Sequence, residues 1–197
     1  VNVVADAVKR EVHPLGPLNR QRFQPPLSPL PRRQEQGVQH IARGFLSGFV
    51  DWLNQTTGLH VHVAAHGALL QPGHAYIAPD DFHLGVGSGG RALLAREAPE
   101  NGVRPAVSYL FRSLAQTCGP SAVGVLLTGM GKDGAAELKA MRDRGAWTIA
   151  QDRDSSVVHG MPGEAILLDA ASQVLPADRI AAALIAHVRR RKETPPA

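Results

Sequence analysis

The amino-acid sequence predicts an α/β fold, a mainly parallel sheet with an antiparallel hairpin added. Two patterns favour this class. Residues 122–128 form a continuous apolar run, typical of a strand covered on both faces, and a helical pattern over 134–144 follows it. Strand and helix patterns then alternate toward the end of the chain, as expected where helices connect parallel strands.

The individual elements follow from spacing and turn residues. Gly58 closes the first helical pattern, and Pro105 opens the second at a position where proline is favoured. The glycine-rich turn 87–90, with Pro79 before it, predicts hairpin structure. In chain order, the predicted elements are a helix over 45–53, strands over 60–64 and 74–78, paired strands over 84–86 and 91–94, a helix over 105–114, a strand over 122–128, a helix over 134–144, strands over 146–150 and 166–168, and a helix over 180–188.

Composition excludes several protein classes. With 197 residues, 44% of them hydrophobic and 19% charged, the chain is typical of one globular domain and not of a coiled coil or a collagen. It shows neither a long apolar segment nor a secretory pattern, so we expect a soluble cytoplasmic protein with no membrane insertion. The single cysteine, Cys118, excludes an internal disulfide. The net charge of +4 is dispersed without interleaved aromatic residues, which argues against nucleic-acid binding.

The character of the sequence changes near residue 38. Residues 1–37 carry six of the 15 prolines and no helical periodicity, apart from a possible short strand at Val3–Val4. We therefore predict an aberrant or disordered N-terminal segment over 1–37, a catalytic-type domain over 38–188 and a basic tail over 189–197.

The densest chemical signal is the turn Thr128–Ala136, between a buried strand and a helix. Sites in α/β sheets form beyond the carboxyl ends of strands, where glycines admit a ligand close to the backbone. On spacing alone, Asp133 is best explained as the N-cap of the helix that follows it. Because the three glycines fit G-x-G-x-x-G, and Asp152 or Asp154 follows about 20 residues later, a dinucleotide site is an alternative.

Histidines are the other candidates for chemistry, because imidazole is the side chain best suited to act as a base near neutral pH. His40, His83 and His159 each lie at a loop, and spacing does not choose among them. His60 and His62 could chelate a metal from one face of a strand, but a lone His-x-His is more often surface polarity. We expect no metal and no cofactor.

Five segments together resemble the catalytic domain of the chemotaxis protein-glutamate methylesterases (CheB type), over residues 38 to about 187. The segments are VQHIARGF (38–45), PGHAYIAP (72–79), RP (104–105), LTGMGKDGA (127–135) and AQD continuing to VVHGMPGEA (150–165). The resemblance implies a doubly wound α/β domain that hydrolyses glutamate methyl esters on the cytoplasmic helices of chemoreceptors, and that deamidates certain receptor glutamines, by a Ser-His-Asp mechanism.

The resemblance also implies roles for single residues. By position in the motifs, His40 corresponds to the base, Asp133 to the carboxylate that orients it, and the backbone N–H of Met130 to an oxyanion donor. Such a triad needs an imidazole to take the proton of a serine hydroxyl and a buried carboxylate to hold that imidazole. Ala106 and Ser108 depart from the family, which usually has Ser and Asp at these positions.

The nucleophile implied by the family is missing from the sequence. The family places it before the histidine, in a Ser-Thr-Gly-Gly turn after a first strand, whereas the only serine before His40 is Ser28, which lies among prolines. We hypothesise that residues from about 5 to 37 are read in a shifted frame, which would replace the first strand, the nucleophile turn and the first helix. The alternatives are an inactive receptor-binding pseudoenzyme and a dinucleotide-binding oxidoreductase.

Overall fold

A computed structural model describes residues 2–5 and 34–193. Within these ranges the strands are β1 (Asn2–Ala5), β2 (Gln34–Gly37), β3 (His60–Val63), β4 (His74–Ile77), β5 (His83–Gly87), β6 (Arg91–Ala95), β7 (Val123–Leu126), β8 (Trp147–Gln151) and β9 (Gln173–Leu175). The α-helices are α1 (Leu46–Thr57), α2 (Val107–Thr117), α3 (Ala135–Asp143), α4 (Met161–Leu167) and α5 (Ala177–Glu193). None of the helices in this part of the chain is long and apolar enough to cross a membrane.

Seven strands form one parallel sheet in the order β3-β4-β2-β1-β7-β8-β9, and β5 and β6 form a separate antiparallel pair. The predicted fold class is therefore confirmed. From β1 the chain first adds strands on one side of the sheet and later, from β7 onward, on the other. The order reverses between β1 and β7, and this is the place where doubly wound sheets open a crevice for ligands.

Three predicted elements differ from the structure. Residues 74–78 were expected beside the hairpin, but β4 lies inside the parallel sheet and pairs with β2 and β3. Residues 166–168, predicted as a strand, fall at the end of helix α4, and the strand comes later as β9. A short apolar run does not distinguish a strand from a helix, which explains that error. The last helix is also longer at both ends than the predicted 180–188.

The N-terminal strand corrects part of the reading-frame hypothesis. The possible strand at Val3–Val4 is present as β1, and it pairs in parallel with both β2 and β7. The hypothesis had this first strand replaced, whereas the sheet has β1 at its centre. The prediction of an aberrant or disordered segment over 1–37 is also wrong for residues 34–37, which form β2 and pair with β1 and β4. Ser28 and the rest of the segment between β1 and β2 lie outside the described residues.

The helices bury apolar faces on both sides of the sheet. On one side α1 packs Leu46 and Val50 against β3 and β4. Further along the sheet, Ile180 of α5 contacts Val123, Val125 and Ile149. On the opposite face of β7, Gly124 lets α3 approach closely, because a Cβ there would stand 2.6 Å from Leu138 Cδ1.

Strand β2 is unusually polar for its position inside a parallel sheet. Gln36 is 2% exposed, and neither polar atom of its side-chain amide has a hydrogen-bond partner among the described residues. Beside it, burial raises the pKa of the Glu35 carboxyl. Inner strands of parallel sheets normally carry apolar side chains. An unpaired buried amide lowers the stability of the fold, so β2 is a locally unfavourable segment.

Replacing this amide by an apolar side chain of similar shape should stabilise the protein. We expect Gln36→Met to raise the free energy of unfolding by about 1–3 kcal/mol, because no hydrogen bond is lost and an unsatisfied polar group is removed. Urea denaturation monitored by circular dichroism measures the change. The exposed Gln71→Met is the matched control and should stay within about 0.5 kcal/mol of the parent chain. A destabilising Gln36→Met would show that the amide is satisfied.

Candidate active site

Two loops meet at the carboxyl edge of the sheet, on either side of β1. His40 follows β2, and Gly129–Asp133 follows β7. Because β2 and β7 are the two neighbours of β1 and run parallel to it, their carboxyl ends lie at the same edge. The candidate site thus lies at the point where the strand order reverses.

The structure brings His40 and Asp133 together. His40 Nε2 lies 3.1 Å from Asp133 Oδ2, within ion-pairing distance. The His40 side chain is 26% exposed and that of Asp133 is 4% exposed. The imidazole therefore reaches solvent while contacting a carboxylate that does not. This arrangement suits a histidine base, His40, whose orientation is held by a buried carboxylate.

The Asp133 carboxylate also accepts hydrogen bonds from the first turn of α2. The Val107 N–H donates to Oδ2 at 2.6 Å, and the Ser108 N–H donates to Oδ1 at 3.0 Å. Ala106, the residue preceding the helix, supplies no side-chain cap. Asp133 thus caps α2 across the fold, which uses N–H groups that a helix start leaves unpaired.

Asp133 does not cap α3, as the spacing had suggested. Gly134 precedes α3 with a φ of 82°, and no side chain caps that helix. This left-handed turn, which favours glycine, separates Asp133 from the first turn of α3. Instead the Gly134 N–H donates to Ser108 Oγ at 2.9 Å, so the starts of α2 and α3 are linked reciprocally.

A further contact was not found from the sequence. Asn101 donates through Nδ2 to Asp133 Oδ1 at 3.2 Å and to Ser108 Oγ at 3.1 Å. Asn101 has a φ of 50°, and asparagine is among the residues that tolerate this left-handed conformation best. Nothing in its sequence neighbourhood indicated this role, because its partners lie 32 and seven residues away.

The surroundings of Asp133 lower the pKa of its carboxyl. Burial acts to raise that pKa, but the contact with His40 and the N–H donors of Ser108 and Val107 outweigh it, followed by the Ser108 side chain. Hydrogen bonds to a carboxylate favour its charged form. Asp133 is therefore held as an anion at neutral pH despite its burial.

Asp133 should stabilise the fold in a pH-dependent way. A carboxyl whose pKa is lowered in the folded state contributes fully above its ordinary pKa of about 3.9. The contribution is lost as the pH falls through the lower folded-state value. We expect Asp133→Asn to lower the free energy of unfolding by about 1–3 kcal/mol at pH 7. The difference in stability between variant and parent chain should become smaller below pH ~4.

Urea unfolding at pH 7, 4 and 2.5 tests this expectation. The exposed Asp154→Asn serves as the control and should change stability by less than about 0.5 kcal/mol. If the difference in free energy of unfolding were the same at all three pH values, Asp133 would stabilise the fold by packing and not by charge.

The loop after β7 is fixed by the loop before α4. The Gly129 N–H donates to the Val158 carbonyl, and the Gly129 carbonyl accepts the N–H groups of Gly160 and Met161. Between these bonds Met130 is turned outward, and the residue is 85% exposed. In the described part of the chain the Met130 N–H has no acceptor. This N–H is thus available at the edge of the site.

Gly160 makes that loop contact possible. A Cβ at Gly160 would lie 2.8 Å from both the Gly129 carbonyl oxygen and the Gly131 nitrogen, which are backbone atoms. At Gly131 nothing lies within 4 Å of a Cβ, and only its φ of +84° disfavours a side chain. The two glycines are therefore needed for different reasons.

The contrast gives a matched pair of variants. We expect Gly160→Ala to lower the free energy of unfolding by about 2–3 kcal/mol, because backbone must move. Gly131→Ala should cost only about 1 kcal/mol, the strain of a left-handed alanine. The Met130 amide resonance, followed by NMR, should shift more in Gly160→Ala. If Gly131→Ala were the more destabilising variant, the close approach of Gly160 to the backbone of Gly129 and Gly131 would be contradicted.

The other two candidate histidines occupy different environments. His83 is fully buried, with Nε2 bonded to the Ala98 carbonyl and Nδ1 accepting the Ala106 N–H. Both ring nitrogens are thus used within the fold. His159 Nδ1 lies 3.3 Å from Ser156 Oγ. Of the three, His40 is the one that forms an ion pair with a carboxylate within the described ranges.

The geometry of the glycine loop disfavours a dinucleotide. The Gly131 backbone, which would have to approach a pyrophosphate, lies against Gly160, since a Cβ on Gly160 would stand 2.8 Å from the Gly131 nitrogen. Asp152 Oδ1 accepts both the N–H and the hydroxyl of Ser155, so this carboxylate is occupied locally. A carboxylate that recognises a ribose must instead point into the crevice.

A cavity of about 360 Å³ adjoins His40. Two of its lining residues hold buried polar atoms without a partner among the described residues, the acceptor Gln39 Oε1 and the donor Arg104 Nε. Buried polar atoms are normally paired, so such groups suit a polar ligand.

The family model described as CheB methylesterase matches residues 28–184. The chain belongs to the CheB methylesterase family. The match begins ten residues before the five segments that carry the resemblance, and it includes both His40 and Asp133.

Individual CheB relatives are similar over the same part of the chain. "Protein-glutamate methylesterase/protein-glutamine glutaminase 4" of Geobacter metallireducens is 61% identical over 148 residues, 75% of this chain and 43% of that protein. "Protein-glutamate methylesterase/protein-glutamine glutaminase 1" of Syntrophus aciditrophicus is 57% identical over 148 residues, 75% of this chain and 42% of that protein. The chain thus spans less than half the length of these curated relatives.

A solved CheB structure has the same fold. The CheB methylesterase catalytic domain of Thermotoga maritima superposes with a TM-score of 0.75 at 37% identity, covering 79% of this chain and 84% of that one. The doubly wound architecture, with its added antiparallel pair, is that of the CheB catalytic domain.

Proposed function

We propose that this chain carries the acid–base half of a glutamate methyl ester hydrolase that acts on the cytoplasmic helices of chemoreceptors. The observation that carries the proposal is the 3.1 Å contact between His40 Nε2 and the buried Asp133 carboxylate, at the reversal point of a CheB-type sheet. The names of its relatives, which pair methylesterase with glutaminase, support an ester or a primary amide of a glutamyl side chain as the substrate.

The residues would divide the work as follows. His40 accepts the proton of the attacking hydroxyl and later returns it to the leaving methanol or ammonia, while Asp133 holds the imidazole and stabilises its charged form. The Met130 N–H donates to the oxyanion of the tetrahedral intermediate. Gln39 and Arg104 line the cavity beside His40, where the polar end of the substrate would lie.

The topology also indicates where the nucleophile should stand. Strand β1 lies between β2, which leads to His40, and β7, which leads to Met130 and Asp133. A hydroxyl in the turn directly after β1 would therefore face both. Residues 6–33 contain one serine, Ser28, and neither threonine nor cysteine. Ser28 is 23 positions beyond the end of β1, too far to belong to that turn.

We infer that residues 6–27, which precede the family match, depart from the family sequence as a shifted reading frame would make them. Without a nucleophile, His40 could activate only water, and turnover should fall to the residual level set by binding and the oxyanion donor.

A segment exchange tests the proposal. Residues 6–37 are replaced by the segment that occupies the corresponding place in the Geobacter metallireducens relative, and demethylation of methylated receptor is measured for both proteins. We expect the parent chain to be near background and the exchanged chain to gain activity. In the exchanged chain, His40→Gln should lower the rate of demethylation at least about a thousandfold.

Two controls make the test decisive. The exposed His66→Gln in the exchanged chain should retain the gained activity. Replacing the serine of the introduced turn by alanine should abolish it. An exchanged chain that is folded by circular dichroism but inactive would contradict the proposed roles, and an equally active parent chain would contradict the missing nucleophile.

A receptor-binding module without catalysis is the second candidate, and it is favoured because residues 6–27, directly after β1, contain no serine, threonine or cysteine. The two are separated by the same exchange. A pure binding module would bind receptor helices before and after the exchange and would gain no esterase activity.

A further inference from the structure

The two oxygens of the Asp133 carboxylate have different partners. Oδ2 accepts the Val107 N–H and lies 3.1 Å from His40 Nε2. Oδ1 accepts the Ser108 N–H at 3.0 Å and the side-chain amide of Asn101 at 3.2 Å. One oxygen therefore contacts α2 and the imidazole, and the other contacts α2 and a separate loop.

The two donors of α2 do not fix the plane of this carboxylate by themselves. Val107 and Ser108 are neighbours in the chain, so their N–H groups hold the two oxygens along one line. The terminal torsion of an aspartate has broad minima, and the carboxylate can turn about that line at low cost. A third donor from another direction removes this freedom. Asn101 is such a donor, and it reaches Oδ1 from 32 residues away in the sequence.

A tight turn holds Asn101 in its place. The Glu100 N–H donates to the Val103 carbonyl at 3.1 Å, and the Val103 N–H donates to the Glu100 carbonyl at 2.9 Å. Between them Asn101 and Gly102 have φ values of 50° and 80°, two positive angles as in a type I′ turn, for which Asn-Gly is a preferred sequence. The ion pair of Glu100 with Arg112 joins the turn to α2.

Both N–H groups of the Asn101 amide are used. One donates to Asp133 Oδ1, and the other donates to Ser108 Oγ at 3.1 Å. Because a carboxylate only accepts, the nitrogen of the amide, and not its oxygen, faces Asp133. The residue as a whole is exposed, so it adds little to the hydrophobic core. Its substitution should therefore change the site more than the stability of the fold.

We propose that Asn101 is a positioning residue of the proton-transfer pair, which holds Asp133 Oδ1 so that Oδ2 stays directed at His40 Nε2. It acts through the carboxylate and not on the substrate. This role of Asn101 rests on the proposed function of His40 and Asp133.

The direction of Oδ2 matters because it selects the form of the imidazole. A carboxylate oxygen only accepts, so its contact with Nε2 favours the neutral His40 ring that carries its proton there. The lone pair then lies on Nδ1, the nitrogen that would accept the proton of the attacking hydroxyl. If the Asp133 carboxylate turned about its axis, both tautomers would form, and a smaller share of the imidazole could act as the base.

Two variants separate the amide from the turn that carries it. Asn101→Gly keeps the left-handed backbone, which glycine adopts readily, and removes both donors. Asn101→Asp also tolerates this φ, but it places a second negative charge against Asp133 Oδ1. A role in the turn alone would be preserved in both variants.

Asp169→Gly is the matched control. Asp169 is exposed, has a φ of 50° and pairs with Arg142, at the carboxyl-terminal ends of α4 and α3. It is thus another left-handed residue of the same chain, changed to glycine in the same way but outside the site.

The first measurement is the tautomer of His40 in the parent chain. It is read from the ¹⁵N resonances of the imidazole at pH 9, where an imidazole is normally neutral. We expect the form protonated at Nε2 to predominate in the parent chain and in Asp169→Gly. Its share should fall at least about twofold in Asn101→Gly, because the carboxylate no longer selects it.

The second measurement is receptor demethylation by the chain in which residues 6–37 are exchanged. Asn101→Gly should lower kcat about tenfold and change KM less than about twofold, because the proton-transfer pair is misplaced while substrate binding is retained. Asn101→Asp should lower kcat further. Asp169→Gly should leave kcat and KM unchanged.

Three results would overturn the role of Asn101: an unchanged tautomer share in Asn101→Gly, an effect on KM alone, or an equal loss of kcat in Asp169→Gly. Far-UV circular dichroism and urea unfolding of each variant show whether the fold is intact. An inactive exchanged chain would contradict the proposed function instead. The tautomer measurement on the parent chain would then still decide whether Asn101 positions the carboxylate.

Discussion

The carboxylate of Asp133 is the group on which the arrangement of the site depends. It is nearly excluded from solvent, and it accepts from two backbone N–H groups and from Asn101 while contacting His40. A buried charge is tolerated only when such partners compensate its lost hydration. Those partners come from three other segments of the chain. One anion therefore fixes the relative positions of the loop after β2, the loop that carries Asn101 and the start of α2.

The contacts of Asp133 are compatible with a serine at position 108, where the resemblance led us to expect an aspartate. Ser108, which stands where the family usually has an aspartate, accepts the Gly134 N–H and the Asn101 amide. The carboxylate that matters for His40 is unaffected by that exchange. The contacts of Asp133 with the fold thus keep it beside His40 for structural reasons alone.

Much of the fold followed from the sequence for simple reasons. The continuous apolar run before Thr128 and the glycine at 58 identified β7 and the end of α1, because burial on two faces and a left-handed cap leave clear local signals. Strand β2 was missed, since its Gln and Glu residues give no strand pattern. Position in the sheet, which no local window contains, decides its structure.

The candidate site divides in the same way. The glycine turn was visible from residue type and spacing, and the family resemblance then singled out His40 and Asp133. Long-range contacts were not visible. Asn101 reaches Asp133 across 32 residues, and the capping of α2 by Asp133 depends on how two loops meet. Local preference correctly indicated a capping role for this aspartate, but tertiary packing determined which helix it caps.

Strand β1 has a consequence for how the two sides of the sheet are joined. On one side of it lie β3, β4 and β2, and on the other lie β7, β8 and β9. Within the sheet, the four residues of β1 therefore connect the two halves. His40 belongs to the first half and Asp133 to the second. The distance between the His40 imidazole and the Asp133 carboxylate therefore reports whether the two halves of the sheet remain joined along β1. It can be measured without a substrate.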